Sequence, residues 1–191
     1  MPADLARLAA EIRACRVCVD LPLGPRPVFR ASRTARLLIV GQAPGTKVHE
    51  TGIPWNDPSG DRLRGWLAMD RDAFYDERRI AIVPMGLCYP GRLPNGGDAP
   101  PRRECAPLWQ QRLLAQMPNI RLTLLVGSYA LAHRLGRGAM TDHVREFRAH
   151  LPRYFPLPHP SWCTTAWERR HPWFADQVLP ALRTEVARAL G

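Results

Sequence analysis

Four of the five cysteines fall in a pattern: Cys15 and Cys18 two residues apart, then Cys88, then Cys105 after sixteen more. Thiolates at such spacing suit either Zn²⁺ or an iron–sulfur cluster, and spacing alone does not separate the two. A redox CxxC would sit at a strand–helix turn, whereas this one closes a predicted helix ahead of a Pro-rich connector. Cys88 and Cys105 border the segment Gly86 to Arg103, which holds four Gly and four Pro and needs an anchor. A shared metal site accounts for all four thiols better than ordinary core packing does. Cys163 has no partner in the pattern. A second set of reactive residues follows the apolar run Leu37-Leu38-Ile39-Val40. Past Gly41 the chain presents Gln42, His49, Glu50, Trp55, Asn56 and Asp57, more chemistry than a plain connector carries. A third group, His159-Pro160-Ser161-Trp162, ends another short apolar run, Tyr154 to Leu157.

The elements that must position these groups are legible from periodicity. Residues 3 to 14 read as an amphipathic helix with Leu5, Leu8, Ala9 and Ile12 on one face. Leu21 to Arg33 is Pro-rich loop. Strands are predicted at Leu37–Val40, Ile80–Met85, Leu122–Val126 and Tyr154–Leu157. Helices are predicted from about Ser59 or Asp61 through Leu67, over Glu104–Met117, Tyr129–Leu135, Asp142–His150 and Trp173–Leu190. Gly86–Arg103 cannot be regular structure, and its length marks it as functional or tied down. Short, wholly apolar strands alternating with helices predict α/β architecture, a four-stranded parallel sheet covered on both faces, in a single domain over residues 1–191. Ligands in such folds sit beyond the carboxyl ends of the strands.

Composition narrows the partners. Hydrophobic residues make up 46% and charged residues 23% of the 191, as in a globular chain. Lys plus Arg is 27 against 17 Asp plus Glu, a net charge of +10, and Lys47 is the only lysine. An arginine excess of this size points to a polyanion, most simply nucleic acid. No run of 18 apolar residues exists, so no membrane span is predicted, and the N-terminal helix does not read as a signal peptide. A cytoplasmic monomer with reduced or metal-bound cysteines is the expectation.

The motifs also carry a resemblance. Gly41-Gln42-Ala43-Pro44-Gly45 resembles the first motif of the uracil-DNA glycosylase superfamily, G-E-A-P-G in its iron–sulfur branch. Thr51-Gly52-Ile53-Pro54-Trp55 stands where that branch has T-G-x-P-F, and His159-Pro160-Ser161 resembles the second motif. Cys15, Cys18, Cys88 and Cys105 match the branch's cluster ligands in order. The resemblance implies a three-layer α/β/α sandwich on a four-stranded parallel sheet. It also implies a structural [4Fe–4S] cluster and base excision from DNA. Three positions depart from the pattern: Gln42 replaces the family's glutamate, Trp55 its stacking phenylalanine and Pro84 its base-reading asparagine.

On that resemblance, the chain is expected to be a monofunctional DNA-repair glycosylase. It would flip a deaminated base, uracil first, out of the duplex and hydrolyse its N-glycosidic bond. Trp55 stacks on the base. His159, best kept neutral, donates to the base oxygen where charge develops. Gln42 orients the attacking water, with His49, Glu50 or Asp57 to polarise it. Base selection falls to main-chain groups at Met85-Gly86 and Gln42-Ala43, with Ser161 beside His159. Trp162 wedges into the gap left by the flipped base. Arg145, Arg148, Arg169 and Arg170 contact phosphates, and His133, His143, His150 and His171 are ordinary. The alternatives are excision of another base such as hypoxanthine, or a protein that binds damaged or abasic DNA without cleaving it.

Overall fold

The computed structural model describes residues 2–94 and 96–191. Four strands form one sheet in the order β2-β1-β3-β4. They are β1 (Leu37–Val40), β2 (Ile80–Ile82), β3 (Leu122–Val126) and β4 (Tyr154–Leu157). Every neighbouring pair is parallel, in the registers Leu37↔Ile80, Leu37↔Leu122 and Thr123↔Tyr154. The carboxyl ends of the strands therefore share one edge.

Alternation along each buried strand divides the core into two layers, because successive side chains point to opposite faces. Leu37, Ile39, Ile80, Ile82, Leu124 and Phe155 pack on one face. That face is covered by α3 (Pro58–Leu67), through Leu63 and Trp66, and by α9 (Leu179–Leu190), through Leu182 and Val186. Leu38, Val40, Ala81 and Leu125 pack on the other. There they meet Ile12 of α1 (Pro2–Arg13), Trp109 and Leu113 of α5 (Cys105–Ala115), and Leu131 of α6 (Ser128–Leu135). The result is the expected three-layer α/β/α sandwich.

Several boundaries depart from the sequence reading. β2 ends at Ile82, not Met85, although Val83 and Met85 on either side of Pro84 still donate to the Ile39 and Gly41 carbonyls. Two short helices went unread: α2 (Thr46–Thr51), inside the first-motif loop, and α8 (Thr164–Arg170). α2 is stopped by Gly52, which takes a left-handed φ of 70° and donates to the Val48 carbonyl. A further short helix, α4 (Arg71–Phe74), is capped by the Asp70 carboxylate. The helix expected over Asp142–His150 is two pieces, α7 (Met140–Arg145) and a 3₁₀ turn at Phe147–His150. The closing helix begins with a π turn at Phe174–Val178, just before Pro180 in α9. Gly86–Arg103 contains neither helix nor strand among its described residues. Asn95 within it lies outside those residues.

Candidate active site

Beyond the carboxyl ends of β1 and β4 lies a cavity lined by Gly41, Gln42, Gly45, Trp55, Asp57, Pro84, Asp98 and His159, among others. Trp55 is held there against its own preference. Its φ of 57° is left-handed, a genuine outlier for a bulky residue. The surroundings enforce it. The Tyr75 hydroxyl donates to the Pro54 carbonyl at 2.8 Å, and the buried Arg64 donates to the Trp55 carbonyl at 3.3 Å. Burial raises the Tyr75 phenol pKa against the lowering by Arg64, Arg71 and Arg30, so the hydroxyl stays a donor. Two glycines make room for Trp55. A Cβ at Gly60 would stand 1.7 Å from the Trp55 carbonyl oxygen, and one at Gly41 2.8 Å from its indole ring.

His159 follows β4 and faces this ring, with centroids 5.7 Å apart and planes inclined by 32°. Its carbonyl accepts from the Ser161 N–H at 2.8 Å and from the Thr164 hydroxyl, which fixes the turn into α8. Gly127, with φ of 87°, brings β3 against it: a Cβ there would meet the His159 Cβ at 3.3 Å. Burial lowers the His159 pKa, with Asp57 opposing. The imidazole is therefore neutral at neutral pH, as expected of a donor to a developing anion.

Gln42 lines the same cavity, and its amide nitrogen donates to the Ala99 carbonyl at 3.1 Å. Asp57 serves as the α3 cap, with Oδ1 accepting from the Gly60 N–H at 2.8 Å. Asp98 is a cavity residue that sequence reasoning missed. It is the one acidic residue of the Gly86–Arg103 segment, and that isolation was the available signal. Ala43 also lines the cavity.

Other expected residues lie elsewhere. His49 is 9% exposed, sits 6.0 Å from the Tyr89 ring and does not line the cavity; its Nδ1 is buried without a partner. Burial lowers its pKa, helped by Arg26. Met85 and Gly86 are also outside the cavity lining. Their N–H groups donate to the Gly41 and Gln42 carbonyls, both at 2.9 Å, so neither is left for a base. The absent side chain of Gly86 serves loop packing, since a Cβ there would approach Pro101 to 2.9 Å. Ser161 is held by Arg62 through its carbonyl at 2.7 Å, outside the cavity. Trp162 is 85% exposed, an apolar side chain standing in solvent close to His159 in sequence. Arg145, Arg148, Arg169 and Arg170 are all exposed.

A second cavity is lined by Cys15, Cys18, Cys88 and Cys105, with Leu87, Arg102 and Trp109 beside them. The Leu87 N–H points at the Cys105 sulfur, 3.3 Å away. Burial pushes the Cys88 thiol up to about 12 and the Cys105 thiol up to about 11. Among the described residues, no three His, Cys, Asp or Glu converge tightly enough to hold a metal ion. The four thiols line a shared wall; they do not close on one point. No helix of the described residues is long and apolar enough to cross a membrane.

An all-parallel α/β/α sandwich with an aromatic face and a neutral imidazole at the strand ends defines the class of protein. The model of the uracil DNA glycosylase superfamily matches residues 29–183. The chain belongs to the uracil DNA glycosylase superfamily, whose members are hydrolases acting on DNA.

Proposed function

We propose that this chain hydrolyses the N-glycosidic bond of a deaminated base in DNA, uracil first among them. The observation that carries the reading is the cavity in which Trp55 and His159 face each other at 5.7 Å. A flipped base stacks on the indole, a contact worth ~1–3 kcal/mol. The imidazole then donates to the base oxygen as it gains negative charge, an interaction that strengthens in the transition state and so accelerates the step. The exposed Trp162 supplies an apolar wedge for the vacated stack. The net charge of +10 supports binding to the phosphate backbone. An oligonucleotide carrying one uracil tests the reading. Strand breakage after alkali is the expected result; a mobility shift without breakage would overturn excision and leave a binding protein.

A different base in the same cavity, such as hypoxanthine, is favoured by one specific observation. Pro84 has no side-chain donor, and the Met85 and Gly86 N–H groups are already bonded. The same assay with hypoxanthine in place of uracil separates the two.

The proposal includes a [4Fe–4S] cluster held by Cys15, Cys18, Cys88 and Cys105. Their lining of one cavity and the all-sulfur donor set support it. A four-iron cluster spreads its thiolates further apart than a single ion does. When bound, the cluster would cross-link α1, the Gly/Pro-rich loop and α5, a structural role remote from the bond being broken.

A further inference from the structure

The cavity lacks an evident group to take the proton of the attacking water. Gln42 cannot ionise, His49 lies outside, and Asp57 has one oxygen committed to capping α3. Asp98 remains. As a residue it is exposed, but its carboxyl turns inward. A Cβ placed on Gly45 would stand 3.3 Å from Asp98 Oδ2 and 3.9 Å from Asp57 Oδ2. Both carboxyl groups thus overlook the same spot on the first-motif loop. Asp98 is exposed and Gly45 half-buried, whereas Ile82 and Pro84, which line the same cavity, are buried. A flipped base held toward the buried residues would leave its sugar on the exposed side, beside Asp98.

Asp98 is also held in place. It pairs with Arg92 in an isolated antiparallel bridge, and the Ala99 N–H donates to the Gly91 carbonyl at 2.8 Å. The Ala99 carbonyl accepts the Gln42 amide at 3.1 Å. A glutamate at position 42 has no N–H to give that carbonyl. Glutamine does, and what it secures is the residue next to Asp98.

We infer that Asp98 is the general base for the attacking water and that Gln42 is a positioning residue that sets it through Ala99. This rests on the glycosylase reading above. In the step, the Asp98 carboxylate takes a proton from water, and the water oxygen forms a bond to C1′ of the deoxyribose. The C1′–N bond breaks, and its electron pair leaves with the base as an anion held by His159. The proton then passes from Asp98 through solvent to the base, and the carboxylate is restored. Negative charge on the exposed side also stabilises the cationic, oxocarbenium-like sugar.

Burial and two charged groups set the ionisation of Asp98. Burial raises its pKa, the nearby Arg92 lowers it, and the Asp57 carboxylate raises it. His159, across the cavity, is neutral and adds no charge. The net shift is upward, toward the range where a carboxylate is a better base. Below that pKa the group is protonated and cannot accept, so excision rises with pH as Asp98 ionises.

Single-turnover excision of uracil and of hypoxanthine, followed from acid to neutral pH with the full-length protein, tests the assignment. Asp98→Asn should lower the rate on the order of a hundredfold or more. It should also remove one proton from the acid limb, leaving the dependence on neutral His159. Its affinity for an oligonucleotide with uncleavable 2′-fluoro-deoxyuridine should stay at the wild-type level, which also shows that the variant is folded. Gln42→Ala should cost roughly tenfold alone, as one lost hydrogen bond does, and nothing further on the Asp98→Asn background. Wild-type excision by Asp98→Asn overturns the inference while the glycosylase reading stands. Equal loss of excision and analogue binding also overturns it, by making Asp98 a reader of the base. A wild-type protein that excises neither base brings down the glycosylase reading and this assignment together.

Discussion

Around Trp55 the protein supplies its own restraints: Tyr75 on the Pro54 carbonyl, Arg64 on the Trp55 carbonyl, Gly41 and Gly60 emptied of side chains. Around the four cysteines it supplies far fewer. The Leu87 N–H reaches one sulfur, and two half-buried thiols are held neutral by their surroundings. The first cavity is preorganised by hydrogen bonds already made, so its geometry precedes any ligand. The second gathers donors around a space and leaves the closing contact to whatever binds. The two cavities of one chain thus hold their lining by different physics.

The comparison breaks most readily at the cysteines. Cys88→Ala or Cys105→Ala should abolish iron and sulfide in anaerobically purified protein. Stability should drop by ~2–5 kcal/mol, the scale on which a lost cross-link acts across a long loop. Cys163→Ala should retain both. Thermal unfolding with iron and sulfide assays reads this, and a colourless protein with one equivalent of zinc would overturn the cluster. At the other cavity, His159→Ala should cut excision by about a hundredfold to a thousandfold, with DNA affinity little changed. Single-turnover rates measured beside binding decide it, and a wild-type rate would remove His159 from the mechanism. Because burial holds the His159 pKa below its ordinary value, the imidazole stays neutral and active further into acid than a free histidine would. Trp55→Ala should weaken both binding and excision, by ~1–3 kcal/mol for the lost stacking face. The smallest effect sharpens the comparison. Tyr75→Phe removes the hydrogen bond donated to Pro54 and the longer one accepted from Arg64 at 3.4 Å, and should cost ~0.5–1.5 kcal/mol of stability, seen in the denaturation midpoint. Excision should fall with it, since the bond to Pro54 helps hold Trp55 in its strained backbone.

Much of this fold is readable from short apolar runs. Leu122–Val126 and Tyr154–Leu157 form strands over the predicted residues because every side chain in them suits a doubly covered sheet. Ile80–Met85 reads too long because hydrophobicity runs on past Ile82, where the regular ladder gives way to separate bonds from Val83 to Ile39 and from Met85 to Gly41. The helices α2 and α8 escape notice because they are six and seven residues long and depend on tertiary contacts more than on periodicity. In the site, Gln42, Trp55 and His159 are legible through motif order, and the structure brings them to one cavity. His49 is not, because spacing alone cannot tell which side of a one-and-a-half-turn helix faces inward. Asp98 is hidden for a different reason. Its nearness to Gly45 arises only when a loop distant in sequence folds over the strand ends.

The strand order β2-β1-β3-β4 has a consequence for the chain during synthesis. His159 follows β4, an edge strand and the last of the four to leave the ribosome. That strand pairs with β3 alone. A nascent chain that ends at Arg153 already contains Trp55, Gln42 and Asp98 but not His159. On the proposed reading, the donor to the departing base is thus the last group of the cavity to be made, and excision awaits the finished sheet.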